Sequence, residues 1–158
     1  MFIKRKGRAG FLSLSVLLAL ALLPRFSPAD EIPYVWTGIE RVVAVADLHG
    51  DYDNFIYILA HPEVALARVV DGDLRWIGGK AHLVQLGDVM DRGPHARMIF
   101  DLLKRLEKEA EAVGGMVHTL LGNHEEMNIT GISLDYPNYV GVEQFVSFMP
   151  DEFRKARE

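Results

Sequence analysis

The fold is indicated most clearly by one segment, Arg41-Val-Val-Ala-Val-Ala-Asp-Leu-His-Gly50. Its first six residues form a nearly continuous, valine-rich apolar run, which predicts a strand buried on both faces. Its last four residues form a polar loop that contains Asp47, His49 and a glycine. This order of apolar strand and glycine-containing polar loop recurs twice further along the chain.

The second and third copies of this pattern lie at residues 82–93 and 116–125. A strand over His82–Leu86 leads into Gly87-Asp-Val-Met-Asp-Arg-Gly93, and a strand over Met116–Leu121 leads into Gly122-Asn-His-Glu125. In open α/β sheets, ligands bind beyond the carboxyl ends of the strands. We therefore expect the three loops to meet at one site.

Helical and hairpin patterns separate the three strands. A helical stretch follows Asp51 and runs to Ala60, and apolar residues recur at helical spacing from Pro94 to Val113. The turn around Asp71-Gly72 predicts a β-hairpin over residues 69–77. A loop is expected after Gly122, followed by a short helix over 142–148. Strands that alternate with helices indicate a layered α/β fold.

The first 29 residues resemble a secretory signal. A basic start is followed by the apolar run Phe11–Leu23 and by the small-residue stretch Ser27-Pro-Ala29, which predicts cleavage after Ala29. We expect residues 1–29 to be a signal peptide, residues 30–158 to be the domain, and the protein to be exported, in a bacterium to the periplasm. The apolar run is shorter than the roughly 20 residues that span a bilayer, so an uncleaved membrane anchor is the alternative.

The charge of the remaining chain argues against nucleic acid as a partner. Residues 30–158 carry 12 basic and 22 acidic side chains, a formal charge of −10. Such a surface repels phosphate backbones. The chain has no cysteine, so thiolate and disulfide chemistry are excluded, and contact with a membrane is expected only through the export signal.

Four side chains in the three loops are candidate metal ligands. Asp47 and His49 follow the first strand, Asp88 follows the second, and Asn123 follows the third. These nitrogen and oxygen donors, without sulfur, suit Mn, Fe, Zn or Mg. The two oxygens of Asp88 could bridge a pair of ions about 3.5–4 Å apart, the spacing of two-metal hydrolysis.

Three further side chains supply phosphoester chemistry. The planar cation of Arg92 can pair with a phosphate through two parallel hydrogen bonds. His124 is placed to protonate a leaving oxygen, and Asp91 is a carboxylate that could hold the imidazole ring. The loops therefore predict hydrolysis of a phosphoester. Any one of these residues could be an ordinary helix cap or turn residue at a strand end. Their occurrence together favours one functional site.

The three loops resemble the first signature blocks of the calcineurin-like metallophosphoesterases. Asp-Arg-Gly at 91–93 and Glu125 after His124 are similar to the phosphoprotein-phosphatase branch, and Gly122-Asn-His-Glu-Glu-Met-Asn128 is most similar to the Shewanella-like bacterial phosphatases. The resemblance covers roughly Arg41 to Asn128. It implies an αββα fold, a mixed β-sandwich flanked by helices.

The resemblance also implies a role for each site residue. Two divalent ions, Mn, Fe or Zn, would be held by Asp47, His49, Asp88 and Asn123, with Asp88 as the bridge, and would activate a water. Arg92, Asn123 and His124 would bind the phosphate of a phosphorylated protein or small phosphoester. His124 would act as the acid, supported by Asp91 and with Arg92 as the third catalytic residue.

The sequence departs from the family pattern beyond residue 125. The family completes its second metal site with two histidines further along, and no histidine follows His124 here. The chain is therefore expected to hold the N-terminal part of the domain, without its C-terminal part. Besides a protein phosphatase, two alternatives stay open: a dinucleoside polyphosphate hydrolase, and a truncated, non-catalytic module that binds metal or phosphate.

Overall fold

The computed structural model describes residues 34–131 and 139–155. Every described helix and strand lies within the unit Thr37–Glu158. The expected signal peptide at residues 1–29 lies outside the described residues. Among the described residues, none of the helices combines the length and the hydropathy that a membrane span needs.

The described residues form short strands and helices in an alternating order. In chain order they are β1 (Val42–Val45), α1 (Tyr52–Ala60), β2 (Ala67–Val70), β3 (Asp73–Trp76), β4 (His82–Gln85), α2 (Ala96–Glu111), β5 (Met116–Thr119), α3 (Asn123–Thr130), α4 (Val142–Phe148) and α5 (Asp151–Lys155).

The main sheet has three parallel strands in the order β1-β4-β5. Val43 pairs with Leu83, and Leu83 pairs with Val117, so the central strand is in register with both neighbours. Because the strands are parallel, their carboxyl ends lie at one edge of the sheet. The loops that follow the three strands therefore start side by side.

The strands β2 and β3 form a separate antiparallel hairpin. Its turn residues Asp71 and Gly72 both have positive φ angles, 52° and 85°. A two-residue turn of this kind matches the twist of the strands and favours Asp-Gly. The hairpin predicted from the sequence is confirmed.

The core lies between one face of the parallel sheet and the helices α1 and α2. The amphipathic helix α2 buries apolar side chains at helical spacing, as predicted. The buried core includes Val45, Phe55, Leu59, Leu83, Ile99, Leu102, Leu103, Leu106, Ala110 and Val117. This packing fixes the sheet beneath the polar loops.

The layered α/β prediction is confirmed, with two differences. The described residues show one parallel sheet and a hairpin, and the second sheet of the expected sandwich is not among them. The prediction of a loop directly after Gly122 is wrong, because Asn123–Thr130 forms the helix α3. Its buried side chains are His124 and Glu125 rather than apolar residues, so the apolar spacing that predicts helices is missing.

Two histidines on adjacent strands pair with each other. His82 Nδ1 lies 3.0 Å from His118 Nε2. Burial lowers the pKa of His118, and the neighbouring His82 lowers it further. The pair lies within the sheet and not in the polar loops, in keeping with a structural role.

Candidate metal centre

Backbone hydrogen bonds join the loop after β1 to the loop after β4. The N–H groups of Leu48 and His49 both donate to the carbonyl oxygen of Asp88, each at 2.9 Å. The N–H of Gly50 donates to the carbonyl oxygen of Val89 at 2.8 Å. The two loops therefore hold a fixed position relative to each other at the carboxyl edge of the sheet.

Three possible metal ligands converge beside this junction. His49, Asp88 and His124 each place one ligand atom within 4.8 Å of the other two. Asp88 is 8% exposed and His124 is 4% exposed. Parallel pairing of β1, β4 and β5 brings these three residues together from three separate segments.

The ring of His49 is oriented for metal binding. Its Nδ1 lies 3.0 Å from the carbonyl oxygen of Met90. This bond needs a proton on Nδ1, so in the neutral ring the lone pair lies on Nε2. That Nε2 faces Asp47, whose Oδ2 lies 3.8 Å away. A histidine that ligates a metal through one nitrogen commonly donates its other N–H to a carbonyl in this way.

Asp47, Asn123 and Arg92 lie within two residues of His49, His124 and Asp91 in the chain, and all three are exposed. Asp47 approaches His49 but does not belong to the compact group of three. Asn123 is the first residue of α3, directly before His124. The backbone N–H of Arg92 donates to the carbonyl oxygen of Tyr139 at 2.9 Å. These positions leave the three side chains accessible to ions and substrate.

His124 and Asp91 form a buried pair next to the cluster. His124 Nδ1 lies 2.8 Å from Asp91 Oδ2, and Asp91 is fully buried. Because Nδ1 is held by the carboxylate, Nε2 is the ring nitrogen available to other groups. The ring of His124 also makes edge contacts with the rings of His49 and Tyr139, at centroid distances of 4.7 and 5.1 Å.

Two amide side chains complete the surroundings of Asp91. Gln144 of α4 donates through Nε2 to Asp91 Oδ1 at 2.8 Å and accepts the backbone N–H of Asp91 at 2.6 Å. Asn128 of α3 donates through Nδ2 to Asp91 Oδ2 at 2.9 Å. Asp91 is thus fixed from two helices, and a fixed carboxylate fixes the ring of His124.

Glu125 makes an unusual set of contacts for a side chain on α3. Its carboxylate accepts backbone N–H groups from Asp88, Val89, Met90 and Gly122, at 2.7, 2.9, 3.0 and 2.9 Å. Glu125 is 4% exposed. The bond to Gly122, the residue before α3, is half of a capping box, since glycine has no side chain to supply the other half.

Backbone strain is concentrated at the same place. Six described residues other than glycine have positive φ angles, and four of them are His49 (46°), Asp88 (53°), Asp91 (71°) and Arg92 (67°). The left-handed region costs roughly 1–2 kcal/mol per residue that has a Cβ. Such strain persists where the surroundings impose it, and it clusters at functional sites.

The donor set fits a divalent metal of the first transition row. Imidazole nitrogen and carboxylate oxygen are present, the chain has no cysteine thiolate, and in the neutral ring of His49 the lone pair lies on Nε2. Ligands of this kind suit Mn, Fe or Zn. Beside them, the His124–Asp91 pair can hold and deliver a proton.

Sequence reasoning did not identify Glu125, Asn128 and Gln144 as contributors to the site. A helix start could have been inferred from the glutamate three residues after Gly122, since that spacing is typical of a capping box. Nothing in the sequence indicates Gln144, because its partner Asp91 lies 53 residues away. The contacts of Asn128 and Gln144 with Asp91 depend on tertiary packing.

Comparison with known proteins gives a consistent match. The calcineurin-like phosphoesterase family matches residues 40–154. Shewanella-like protein phosphatase 2 of Arabidopsis thaliana is 42% identical over 106 residues, which are 67% of this chain and 26% of that protein. Shewanella-like protein phosphatase 1 of Plasmodium berghei is 34% identical over 117 residues, 74% of this chain and 29% of that protein.

A solved structure matches at the level of fold and sequence. The cold-active protein-tyrosine phosphatase of a psychrophilic Shewanella species superposes with a TM-score of 0.62 at 34% identity. The match covers 73% of this chain and 32% of that protein. The chain therefore spans between a quarter and a third of the length of these three proteins.

Proposed function

The chain belongs to the calcineurin-like phosphoesterase family, and we propose that it forms the metal-binding part of a protein phosphatase. The observation that carries the proposal is the contact between two functional groups. A buried His124–Asp91 pair, joined at 2.8 Å, lies directly against the His49–Asp88 cluster. A proton donor beside metal ligands is what hydrolysis of a phosphomonoester requires.

The substrate class is proposed from the similar proteins. Two of them are named protein phosphatases and the third is a protein-tyrosine phosphatase. We propose a phosphorylated protein side chain, or a small phosphomonoester, as the substrate. The acidic charge of residues 30–158 makes nucleic acid a poor alternative.

Each site residue has a proposed role. Asp47, His49, Asp88 and Asn123 would hold two divalent ions, Mn, Fe or Zn, with Asp88 between them. When bound, such ions supply the positive charge that stabilises phosphoryl oxygens and activates water. Arg92, exposed beside Asp91, would bind the phosphate through its planar guanidinium.

The proton transfer is proposed for His124. Asp91 holds Nδ1, so Nε2 can deliver a proton to the leaving oxygen of the substrate. Asn128 and Gln144 keep Asp91 in place during the reaction. Export through residues 1–29 to the periplasm remains part of the proposal and rests on the sequence pattern alone.

The test is a phosphatase assay on the chain and on its longer natural form where one exists. We expect release of phosphate from phosphotyrosine or phosphoserine peptides with Mn²⁺, no release with a chelator, and none from Asp88→Asn. The matched control is Asp53→Asn, which removes an exposed carboxylate on α1 and should leave turnover unchanged. Faster turnover of diadenosine tetraphosphate than of phosphopeptides, or activity in Asp88→Asn, would overturn the proposal.

A further inference from the structure

The loop after β4 contains a concave arrangement of backbone donors. The consecutive N–H groups of Asp88, Val89 and Met90 all donate to the same carboxylate, at 2.7, 2.9 and 3.0 Å. They follow Gly87, and both Gly87 and Asp88 have positive φ angles, 99° and 53°. Successive N–H groups brought together by a left-handed residue form a nest, which binds an anion.

The anion in this nest is part of the protein. Glu125 Oε1 accepts from Val89 and Met90, and Oε2 accepts from Asp88 and Gly122. A carboxylate offers about four lone-pair positions, and four backbone donors use them. Glu125 is therefore not a metal ligand, although it lies close to the metal cluster in sequence and in space.

The contact works in both directions between the loop and α3. Glu125 of α3 holds the backbone of the loop, and Asp88 of the loop accepts the backbone N–H of His124 at 2.9 Å. The loop carries Asp88, and α3 begins with Asn123 and His124. These hydrogen bonds in both directions hold Asp88 in a fixed position relative to Asn123 and His124, the residues that begin α3.

We propose that Glu125 is a positioning residue, the built-in anion of the nest at residues 88–90. It stabilises the left-handed backbone of Asp88 and keeps that carboxylate in register with α3. It also fills a site that would otherwise attract a free anion such as phosphate. The role in metal binding rests on the proposed function, whereas the filling of the nest does not.

The experiment removes the carboxylate and then supplies it again as a free ion. Calorimetry with Mn²⁺ should show that Glu125→Ala binds about 10–100-fold more weakly than the unaltered chain, the usual effect of losing a residue that orients metal ligands. Excess formate should restore a large part of this affinity, because it can occupy the vacated nest. The matched control is Glu126→Ala, since Glu126 is exposed on the same helix; neither this variant nor the unaltered chain should respond to formate.

Failure of the inference can be told apart from failure of the proposed function. If the unaltered chain binds no Mn²⁺, the proposed metal centre fails, and the nest is judged by thermal melting without metal. Formate should then raise the Tm of Glu125→Ala and leave that of the unaltered chain unchanged. If Glu125→Ala binds Mn²⁺ normally, or if formate changes neither its affinity nor its Tm, the inference is overturned.

A second variant keeps the test decisive if Glu125→Ala does not fold. Glu125→Gln has the same shape, but its amide nitrogen would face two backbone N–H groups that need an acceptor. We expect weaker Mn²⁺ binding that formate does not rescue, because the amide still occupies the nest. Mn²⁺ affinity equal to that of the unaltered chain would contradict the proposed role.

Discussion

At the scale of single residues, the site depends on how the ring of His124 is held. Asp91 is fully buried and accepts hydrogen bonds from His124, Asn128 and Gln144. Gln144 also accepts the backbone N–H of Asp91, so neither the side chain nor the backbone of that residue can turn freely. The proton position on His124 follows from this arrangement, because a carboxylate at Nδ1 requires an N–H there.

This arrangement predicts the effect of Asp91→Asn in an active form of the protein. The amide has the same shape but cannot favour the N–H on Nδ1 as a carboxylate does, so proton delivery from Nε2 should be impaired. We expect hydrolysis of phosphoserine, which has a poor leaving group, to slow by roughly 10²–10⁴-fold. Hydrolysis of p-nitrophenyl phosphate, which needs little protonation, should slow far less. Steady-state kinetics on both substrates measure the difference.

The control for this prediction is Asp101→Asn, which changes an exposed carboxylate on α2 and should alter neither rate. Mn²⁺ affinity should be close to normal in Asp91→Asn, because the proposed metal ligands are Asp47, His49, Asp88 and Asn123, and His124, which Asp91 holds, is the proposed proton donor. Equal slowing of both substrates would mean that Asp91 supports folding or metal binding rather than proton transfer.

Among the secondary-structure elements, the strands of the parallel sheet could be predicted from the sequence, and the helix α3 could not. The apolar runs at 41–46, 82–86 and 116–121 contain β1, β4 and β5, as the pattern of a parallel sheet predicts. The expected burial of β1 on both faces is wrong for the described residues, because Val42 and Ala44 are exposed. The helix α3 buries His124 and Glu125 and has almost no apolar stripe. The buried side of α3 is polar because His124 and Glu125 belong to the site. A prediction based on the spacing of apolar residues therefore misses this helix.

The hydrogen-bond partners of the site residues could not be predicted from the sequence, for a related reason. The three strand-end loops predicted that Asp88 would lie near His49, because parallel pairing alone brings them together; His124, the third member of the compact group, was predicted as the acid and not as a ligand. The contacts of Gln144 with Asp91 and of Glu125 with the loop at 88–90 depend on where α3 and α4 pack. Those packing positions are set by the whole tertiary structure and leave no spacing pattern in the sequence.

The junction of the first two loops also depends on close glycine contacts. A Cβ on Gly50 would lie 2.4 Å from the carbonyl oxygen of Gly93. The N–H of Gly93 donates to the carbonyl oxygen of His49 at 2.8 Å, so the two backbones touch where His49 joins the cluster. No side chain can fit between them without moving one of the loops.

We therefore predict that Gly50→Ala destabilises the protein and weakens metal binding. Gly50 has a φ of 72°, and Gly72 in the hairpin turn has a φ of 85° with no atom within 4 Å of its added Cβ. Gly72→Ala should cost only about 1–2 kcal/mol from the left-handed backbone. Gly50→Ala should cost about 1–3 kcal/mol more, because a steric clash is added.

Urea denaturation of both variants gives the free energies of unfolding, and calorimetry gives their Mn²⁺ affinities. Gly72→Ala should bind Mn²⁺ normally, since the hairpin contributes no residue to the cluster of possible ligands. If the two variants lose equal stability and both bind Mn²⁺ normally, the contact between Gly50 and Gly93 has no part in building the site.

At the scale of the whole molecule, the parallel sheet is covered unevenly. The helices α1 and α2 bury one face, whereas the described residues leave Val42, Leu86 and Leu120 exposed on the other, at 59%, 47% and 47%. Parallel sheets are normally covered on both faces. The second sheet implied by the family resemblance would pack on this open face.

The candidate metal centre is the point where separate segments of the chain converge, and this predicts how metal affects stability. Ions that bind the folded chain alone raise its free energy of unfolding by about 2.7 kcal/mol at 100 times the dissociation constant. For a domain of this size that corresponds to a rise in Tm on the order of 10 °C. Differential scanning calorimetry with Mn²⁺ and with a chelator measures the shift. The shift should vanish in Asp88→Asn, because that variant lacks the carboxylate shared by the cluster. An equal shift in Asp88→Asn would place the stabilising ion elsewhere on the acidic surface and would separate stability from the candidate site.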